Sequence, residues 1–324
     1  MSTKTTLLEI LLDNKEKYIS GQDLADKIGV SRNAVWKAME QLRSSGYKIE
    51  SKPSTGYKLV GDTDLITTES IKDLLQVPCN LKVFDTVDST NNVAKEFKSL
   101  NLPTIVIANK QTAGRGRMGR TFYSPANSGL YMSIAFKPLF DLNKSMNITM
   151  ATAVAVCRAL EKTAHANPKI KWVNDIFVNG KKVCGILTEG QTNFESGQIE
   201  SLIVGIGVNC FPSDIPKDLS NIAGPVSEDK SSFSRSVLAA EIINQFFYIL
   251  DDMDEKSFLN EYRTKCFILG KPIYVYPHLE HKGIKARAID IADNGGLIIE
   301  YMEGLKSRQM TTLTTGEVSI RLEQ

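Results

Sequence analysis

The residues best suited to hold an anion are three arginines within six positions of one glycine-rich segment. Arg115, Arg117 and Arg120 are interspersed with glycines in the run TAGRGRMGR, directly after the strand-like stretch TIVIANKQ. Guanidinium groups bind carboxylates and phosphates in bidentate fashion, and glycine leaves the backbone free to move. At an effective dielectric constant of about 20, each charge about 4 Å from an anion contributes roughly 4 kcal/mol before desolvation. We therefore predict a flap that closes over an anionic ligand.

The same segment matches two common phosphate-binding patterns, and we expect both matches to be false. Gly114, Gly116 and Gly119 spell G-x-G-x-x-G, and Arg120 stands where a Walker A sequence has lysine. Both mechanisms need a helix that begins at the loop and holds phosphate with its first amides. The following residues, TFYSPANSG, predict no helix. A solvated or RNA-binding basic loop is the alternative to the flap.

Two other segments place polar side chains next to strand-like runs. Ser89, Thr90 and Asn91 follow LKVFDTV, where they either cap the predicted helix NNVAKEFKSL or donate to a ligand at its positive end. Asn174 and Asp175 end the run KIKWV and are suited to direct an amide and a carboxylate at a nucleotide or its Mg²⁺. Each segment alone also fits a capping or turn residue.

The residues after this pair continue the candidate site. Lys182 follows a hairpin turn at Asn179 and Gly180 and is a candidate cation for a developing negative charge. Gly205 and Gly207 lie in the apolar run IESLIVGIGVNC, where glycine is disfavoured unless a ligand or a backbone approaches closely. We predict that this strand forms the floor of a pocket.

The pattern of helical and strand-like segments around these residues predicts a multidomain α+β protein. Residues 63–268 alternate strand-like and helical segments, which indicates an α/β domain with a mixed sheet. Residues 269–324 contain five strand-like runs and an Asn294-Gly295-Gly296 turn, which fit a small SH3-like β-barrel. A structural cap on the central sheet is the alternative for this third domain.

Residues 1–62 predict a winged helix-turn-helix domain. Ser20 and Ser31 are suited to cap the second and third helices, Gly29 permits the turn between them, and Gly46 ends the third helix. A hairpin around KPSTG follows as the wing. The predicted DNA-contacting residues lie at the start of the third helix: Ser31, Arg32, Asn33, Trp36 and Lys37. Lys48, Lys52 and Lys58 on the wing are expected to add phosphate contacts, and an interaction module is the alternative.

The amino-acid composition favours an ordinary globular protein and limits the kinds of site that it can contain. With 42% hydrophobic and 23% charged residues, the chain has the makeup of an ordinary globular protein. The net charge of +2 means that any nucleic-acid binding must come from a local patch. Its five cysteines are scattered without a C-x-x-C pair, which argues against a disulfide framework and a zinc site. The start of the chain does not resemble a signal peptide, so we expect a cytoplasmic protein.

Together these motifs resemble those of the bifunctional biotin-protein ligases that also act as biotin operon repressors. The five shared motifs are S-T-N from Ser89, GRGRxGR from Gly114, K-W-x-N-D from Lys171, K-x-x-G-I-L from Lys182 and G-x-G-x-N from Gly205. One departure is Val173, which replaces the usual proline of that family and makes the turn before Asn174 less stiff.

The resemblance implies a role for each matching residue. It implies that biotin is bound by Ser89, Thr90, Asn91, Gln111, Arg115, Gly116, Arg117, Lys182, Gly205 and Gly207. It implies that ATP is bound by Arg117, Arg120, Asn174, Asp175, Lys182 and Asn209, with a Mg²⁺ ion on Asp175. Lys182, Arg115 and Arg117 are the implied catalytic residues, because cations must bring two anions together.

The implied activity has two parts. ATP activates biotin as biotinyl-5'-AMP, and the biotin passes to a lysine of the biotin carboxyl carrier domain of acetyl-CoA carboxylase or a related carboxylase. The same chain binds operator DNA as a homodimer and represses biotin genes, with biotinyl-AMP as corepressor. Two alternatives stay open at this point: a biotin-sensing repressor without catalysis, and a lipoate or octanoate ligase.

Overall fold

The computed structural model places the chain in two compact units, Met1–Leu74 and Leu75–Gln324. It describes residues 3–14, 16–44, 47–60, 64, 66–97, 100–138, 145–192, 199–216, 219–253, 256–276, 283–304, 307–314 and 319–322. The predicted end of the third helix at Gly46 lies outside these residues. The predicted domain limits at 62 and 268 stay predictions.

The first unit contains three helices with the predicted turn between the second and third. They are α1 (Thr3–Asp13), α2 (Gly21–Ile28) and α3 (Arg32–Ser44). Ser20 caps α2 by accepting a hydrogen bond from the Asp23 amide at 3.0 Å, and Gly29 adopts φ +69° after it. That left-handed conformation is one that glycine adopts without steric cost. Leu7, Leu11 and Val35 are fully buried between the helices.

A two-stranded hairpin and a short helix complete this unit. The antiparallel strands β1 (Ile49–Lys52) and β2 (Gly56–Leu59) pair Ile49 with Leu59, and α4 (Thr68–Lys72) follows. The hairpin has the position of the predicted wing. Lys58 on β2, however, lies 3.1 Å from Glu50 and 3.7 Å from Glu16, so its charge is already paired within the unit.

The second unit is built on a seven-stranded mixed sheet with the strand order β3-β4-β5-β9-β8-β7-β6. Its strands are β3 (Asn80–Val87), β4 (Thr104–Gln111), β5 (Gly129–Phe136), β6 (Lys169–Lys171), β7 (Asp175–Val178), β8 (Lys181–Thr192) and β9 (Ile199–Asn209). β3 and β4 are parallel, and every other pair is antiparallel. The prediction of a mixed sheet is therefore confirmed.

Helices cover both faces of this sheet. On one face lie α6 (Ser145–Ala164) and α7 (Arg235–Asp251), with α8 (Ser257–Lys265) against α6. Phe246 of α7 packs on Phe136 with ring centroids 5.6 Å apart. No described helix has the length and apolar character needed to cross a membrane.

Among the described elements, the helix that packs on the opposite face is the short α5 (Thr90–Lys95). Ala94 packs there against Val106, Ala135 and Ile203 from three neighbouring strands. The helix ends at Lys95, earlier than the run NNVAKEFKSL suggested. Ser89 occupies the position before it, but its hydroxyl makes no capping hydrogen bond. That hydroxyl is therefore not used to start the helix.

The C-terminal strands form an antiparallel five-stranded sheet with the order β13-β12-β11-β10-β14. They are β10 (Pro272–Tyr276), β11 (Ile284–Ile291), β12 (Leu297–Tyr301), β13 (Met310–Leu313) and β14 (Ser319–Leu322). The antiparallel sheet agrees with the prediction. Among the strands that the structure describes, the edges β13 and β14 do not pair, so closure into an SH3-like barrel stays a prediction.

Candidate functional site

A cavity of about 300 Å³ opens beside α5 on the less covered face of the central sheet. This volume lies at the lower end of the range of small-molecule sites. All residues predicted to bind a small molecule line it: Ser89, Thr90, Asn91, Gln111, Arg115, Gly116, Arg117, Arg120, Asn174, Asp175, Lys182, Gly205, Gly207 and Asn209. The structure thus brings together residues that are spread over more than a third of the chain.

A chain of hydrogen bonds forms the polar end of the cavity. Gln111 Oε1 accepts from the Thr90 amide at 2.9 Å and from the Thr90 hydroxyl at 3.2 Å. Ser133 Oγ lies 2.7 Å from Thr90 Oγ1 and 2.6 Å from Asn91 Oδ1. Gln111 also donates to Ser124 Oγ at 2.8 Å. These mutual bonds fix the donors and acceptors in advance, which favours a ligand with a compact polar group.

Glu189, on β8, continues this chain toward the arginine segment. Its carboxylate accepts from Asn91 Nδ2 at 2.7 Å and from Lys95 Nζ at 2.8 Å, and Arg115 Nη1 lies 3.7 Å away. Burial raises the pKa of Glu189, but the bonds from Lys95 and Asn91 outweigh it and hold the pKa below its ordinary value. Sequence reasoning missed Glu189 and Ser133, because nothing in the local patterns links them to the site.

The arginine segment forms the predicted loop rather than a helix-capped phosphate site. It contains a single 3₁₀ turn at Arg117–Gly119, closed by an isolated bridge between Arg115 and Thr121. Extended backbone follows, so the requirement for a helix in both generic motifs is not met at this loop. The side chain of Arg115 is about half exposed, whereas burial lowers the pKa of Arg117.

Arg117 is held at the opposite wall of the cavity. Its Nη1 donates to Asn174 Oδ1 at 3.0 Å, and Asn174 Nδ2 donates to the Ile186 carbonyl at 2.9 Å. The Asn174 carbonyl in turn accepts from the Ile186 amide at 3.0 Å. Asn174 therefore keeps a defined geometry although Val173 precedes it in place of a proline.

Asp175 and Lys182 face each other across the β7-β8 hairpin. Lys182 Nζ lies 2.6 Å from Asp175 Oδ1, yet this buried oxygen accepts no hydrogen bond of good geometry. Asp175 is the only carboxylate among the described residues that line the cavity. Nucleotide sites commonly hold Mg²⁺ with one or two carboxylates and the substrate phosphates. This donor fits a Mg²⁺ ion that arrives with a nucleotide.

Gly205 and Gly207 of β9 have no room for a Cβ atom, as predicted. The groups that approach them closely are protein side chains rather than a ligand. A Cβ atom at Gly205 would lie 2.3 Å from Asn91 Oδ1. A Cβ atom at Gly207 would lie 2.6 Å from the ring of Phe122. The glycines thus seat Asn91 and Phe122 against the sheet, and these side chains complete the floor of the cavity.

Sequence reasoning also missed most of the apolar lining. Besides Phe122, the apolar residues in the wall include Trp172, Leu187 and Ile206 and four residues of the segment after β9: Ile215, Leu219, Ile222 and Ala223. That segment is tied to the site because the Ile222 carbonyl accepts from the Lys182 amide at 2.8 Å. It has no periodic pattern, so nothing in its sequence indicated that it contributes to a pocket.

The start of α3 is an exposed surface in the first unit. The predicted DNA-contacting residues Ser31, Arg32, Asn33, Trp36 and Lys37 are all exposed, and Trp36 keeps 50% of its surface accessible. Ser31 also caps α3, since its hydroxyl accepts from the Ala34 amide at 3.2 Å. Arg32, Trp36 and Lys37 are therefore accessible to a binding partner.

Comparisons with known proteins match a family model to part of each compact unit. The model of the biotin/lipoate A/B protein ligase family matches residues 83–209, and the model of an HTH domain matches residues 3–58. The bifunctional ligase/repressor BirA of Bacillus subtilis is 34% identical over 309 residues, which are 93% of this chain and 94% of that protein. The protein of the same name from Escherichia coli is 26% identical over 317 residues, 96% of this chain and 95% of the relative.

A solved structure of a biotin protein ligase matches the fold of most of the chain. A biotin protein ligase from Aquifex aeolicus in complex with biotin and ATP superposes with a TM-score of 0.62 and 28% identity. The superposition covers 75% of this chain and 99% of that chain.

Proposed function

The chain belongs to the BirA family of bifunctional ligase/repressors, and on that premise we propose a residue-level account of how it acts. It uses ATP to form biotinyl-5'-AMP and transfers the biotin to a lysine of a biotin carboxyl carrier domain. It is also a transcriptional repressor. The observation that carries the ligase proposal is the cavity itself, in which a polar end, an apolar wall and several cations converge.

The polar end is suited to the ring system of biotin. Ser89, Thr90, Asn91 and Gln111 offer both donors and acceptors, as a ureido group requires, and the apolar wall around Phe122 takes the rest of the ring. Ser89 is 2% exposed and its hydroxyl makes no capping bond, so it is available to a ligand. Binding of such a group replaces water by fixed partners, which sets the orientation of the carboxylate.

The cations then act on the charges of the first half-reaction. The biotin carboxylate attacks the α-phosphorus of ATP, the bond to pyrophosphate breaks, and biotinyl-5'-AMP remains. Arg115, Arg117 and Lys182 stabilise the negative charge that these two anions bring together. Arg120, Asn174 and Asn209 hold the nucleotide. Mg²⁺ held by Asp175 and the phosphates would supply further charge neutralisation.

In the second half-reaction, a lysine amine of the carrier domain attacks the mixed anhydride and expels AMP. No nucleophile of this chain is needed, because the anhydride is already reactive. The task of the residues is to keep water away until the amine arrives. The flap from Gly114 to Arg120 is the element proposed to cover the adenylate.

The test of the ligase proposal is ATP-pyrophosphate exchange with biotin or lipoate as the acid. Biotin should support exchange and lipoate should not. Arg117→Ala should lower the biotin-dependent rate by about 100- to 1,000-fold, the usual cost of removing one charge-stabilising donor. Arg287→Ala, an exposed arginine of β11, serves as the control. Exchange with lipoate alone would favour a lipoate ligase, and biotin binding without exchange would favour a sensor.

The repressor role places α3 in the major groove of operator DNA, with the chain acting as a homodimer on a two-fold site. Lys37→Ala should weaken binding to double-stranded DNA and reduce the salt slope of binding by about 1. Lys58→Ala should leave the slope unchanged, because Glu50 and Glu16 already pair with this lysine. Fluorescence anisotropy at several salt concentrations measures both slopes, and equal slopes for the two variants would contradict this assignment.

A further inference from the structure

The wall of the cavity is joined to the C-terminal sheet by one buried hydrogen bond. Trp172 lines the cavity and is 6% exposed. Its indole Nε1 donates to the Gly295 carbonyl at 3.0 Å, a partner 123 residues further along the chain. A buried indole N–H needs an acceptor, because leaving it without one costs the desolvation of the group. Gly295 lies in the turn Ala292–Gly296 between β11 and β12.

This turn has little freedom to change shape. Its ends are joined by a hydrogen bond from the Ala292 amide to the Gly296 carbonyl at 2.8 Å. Gly295 adopts φ +86°, a conformation that favours glycine. A Cβ atom there would lie 2.9 Å from Asn147 Oδ1 and 3.1 Å from the side chain of Met146. The Gly295 carbonyl is therefore presented to Trp172 in one defined position.

Helix α8 joins the same turn to the residue after Trp172. The Arg263 guanidinium donates to the Ile291 carbonyl at 2.7 and 3.2 Å and lies 3.2 Å from Asp290, at the end of β11. The preceding residue, Tyr262, donates its hydroxyl to the Val173 carbonyl at 3.1 Å. Hydrogen bonds from the C-terminal turn and from α8 thus fix Trp172 and Val173. Asn174 and Asp175 come next in the chain and line the cavity.

We propose that the turn Ala292–Gly296 is a positioning element of the ligase site, and that Trp172 transmits its position to Asn174 and Asp175. This inference rests on the proposed function, in which those two residues face the nucleotide. The turn then affects ATP binding only through the hydrogen bond between Trp172 and Gly295. Disturbing the turn should raise the KM for ATP more than the KM for biotin, because the polar end of the cavity lies on other strands.

The test compares two glycine variants with similar backbone cost. Gly295→Ala and Gly304→Ala both place a side chain at positive φ in the C-terminal sheet, but the added Cβ at Gly304 meets nothing within 4 Å. Gly295→Ala should raise the KM for ATP by about tenfold, because the added Cβ displaces the turn and weakens the hydrogen bond from the Trp172 indole. Gly304→Ala should leave both KM values unchanged.

Trp172→Phe removes the indole donor and keeps an aromatic ring, so it gives a second route to the same effect. It should raise the KM for ATP to a similar degree, and the variant with both changes should be no worse than either single one. Equal effects of Gly295→Ala and Gly304→Ala, or full additivity with Trp172→Phe, would overturn the proposal.

Fluorescence separates this proposal from the proposed function. The chain has two tryptophans, so a Trp36→Phe background leaves Trp172 as the reporter. Its emission should change with Gly295→Ala and stay constant with Gly304→Ala, whether or not biotin is activated. Unchanged Trp172 emission in both variants would contradict the positioning role of the turn. Absent exchange with biotin in the unaltered chain would instead contradict the ligase assignment.

Discussion

At the scale of single residues, the charge of the site is set by the partners of its cations. Asp175 pairs with Lys182, and Glu189 pairs with Lys95 while lying near Arg115. Arg117 donates to the neutral Asn174, and the charge of Asp175 favours its protonated form. Burial lowers the pKa of Arg117, but an arginine stays protonated in proteins near neutral pH.

Glu189 gives a prediction that depends on pH. Its pKa in the folded chain is below the ordinary value of 4.5, so its charge contributes stability that is present above that value and lost as the pH falls through the folded pKa. Glu189→Gln should therefore lower the free energy of unfolding at pH 7, and the difference from the unaltered chain should shrink below about pH 4. Urea unfolding at both pH values measures it.

Glu228→Gln, at an exposed position, is the matched control for this pH series. It should change the free energy of unfolding little at either pH, as surface substitutions do. A Glu189→Gln effect of the same size at both pH values would mean that lost packing, rather than lost charge, is responsible.

At the scale of elements, strand β9 shows how a sheet makes room for a ligand. Alternate residues of a strand face the same side, so Gly205 and Gly207 leave two neighbouring gaps on the cavity face. Asn91 and the Phe122 ring fill these gaps. The strand therefore determines how deep these two side chains lie, and so determines the shape of the cavity above them.

Gly207→Ala should push the Phe122 ring into the cavity and weaken biotin binding. The cost in stability is expected to be about 1 to 3 kcal/mol, as for other overpacked sites. Phe122→Leu, combined with Gly207→Ala, should recover part of the loss because the smaller side chain avoids the clash. Isothermal titration with biotin and thermal melting measure the two effects. Normal biotin affinity in the single variant would contradict this account of the strand.

At the scale of the whole molecule, one chain contains a ligand cavity in one compact unit and a helix-turn-helix in the other. Such a domain reads few bases by itself, so dimers on two-fold sites are the usual solution. A ligand changes DNA binding only if it binds more tightly to the DNA-competent state. Ordering of the arginine flap by biotinyl-AMP is the proposed source of that difference.

The corresponding prediction concerns self-association. Biotinyl-5'-AMP should strengthen homodimerisation by about 1 to 3 kcal/mol, a typical coupling free energy between two sites. Sedimentation velocity with and without the adenylate measures the change, and Arg117→Ala should reduce it because the flap loses its contact with the phosphate. The same dimer affinity in both conditions would remove the proposed link between the two activities.

Much of this architecture followed from short-range patterns. Ser20 and Gly29 marked the ends of α2, and the runs around Arg117 and Gly207 identified the loop and the floor of the cavity. The length of α5 could not be predicted from these patterns, because the residues after Lys95 still have a composition typical of a helix. The ion pairs of Lys58 with Glu50 and Glu16 could not be predicted from the sequence either, because a basic residue on a wing suggests a DNA contact.

By itself, the sequence determined the kinds of elements, the helix-turn-helix and most of the polar residues that line the cavity, because caps, turns and motifs act over a few residues. Only the tertiary structure decided which partners hold them. Asn91 meets Glu189 across 98 residues, and Trp172 meets Gly295 across 123. Such contacts depend on strand order and close packing, and local propensity contains no information about either.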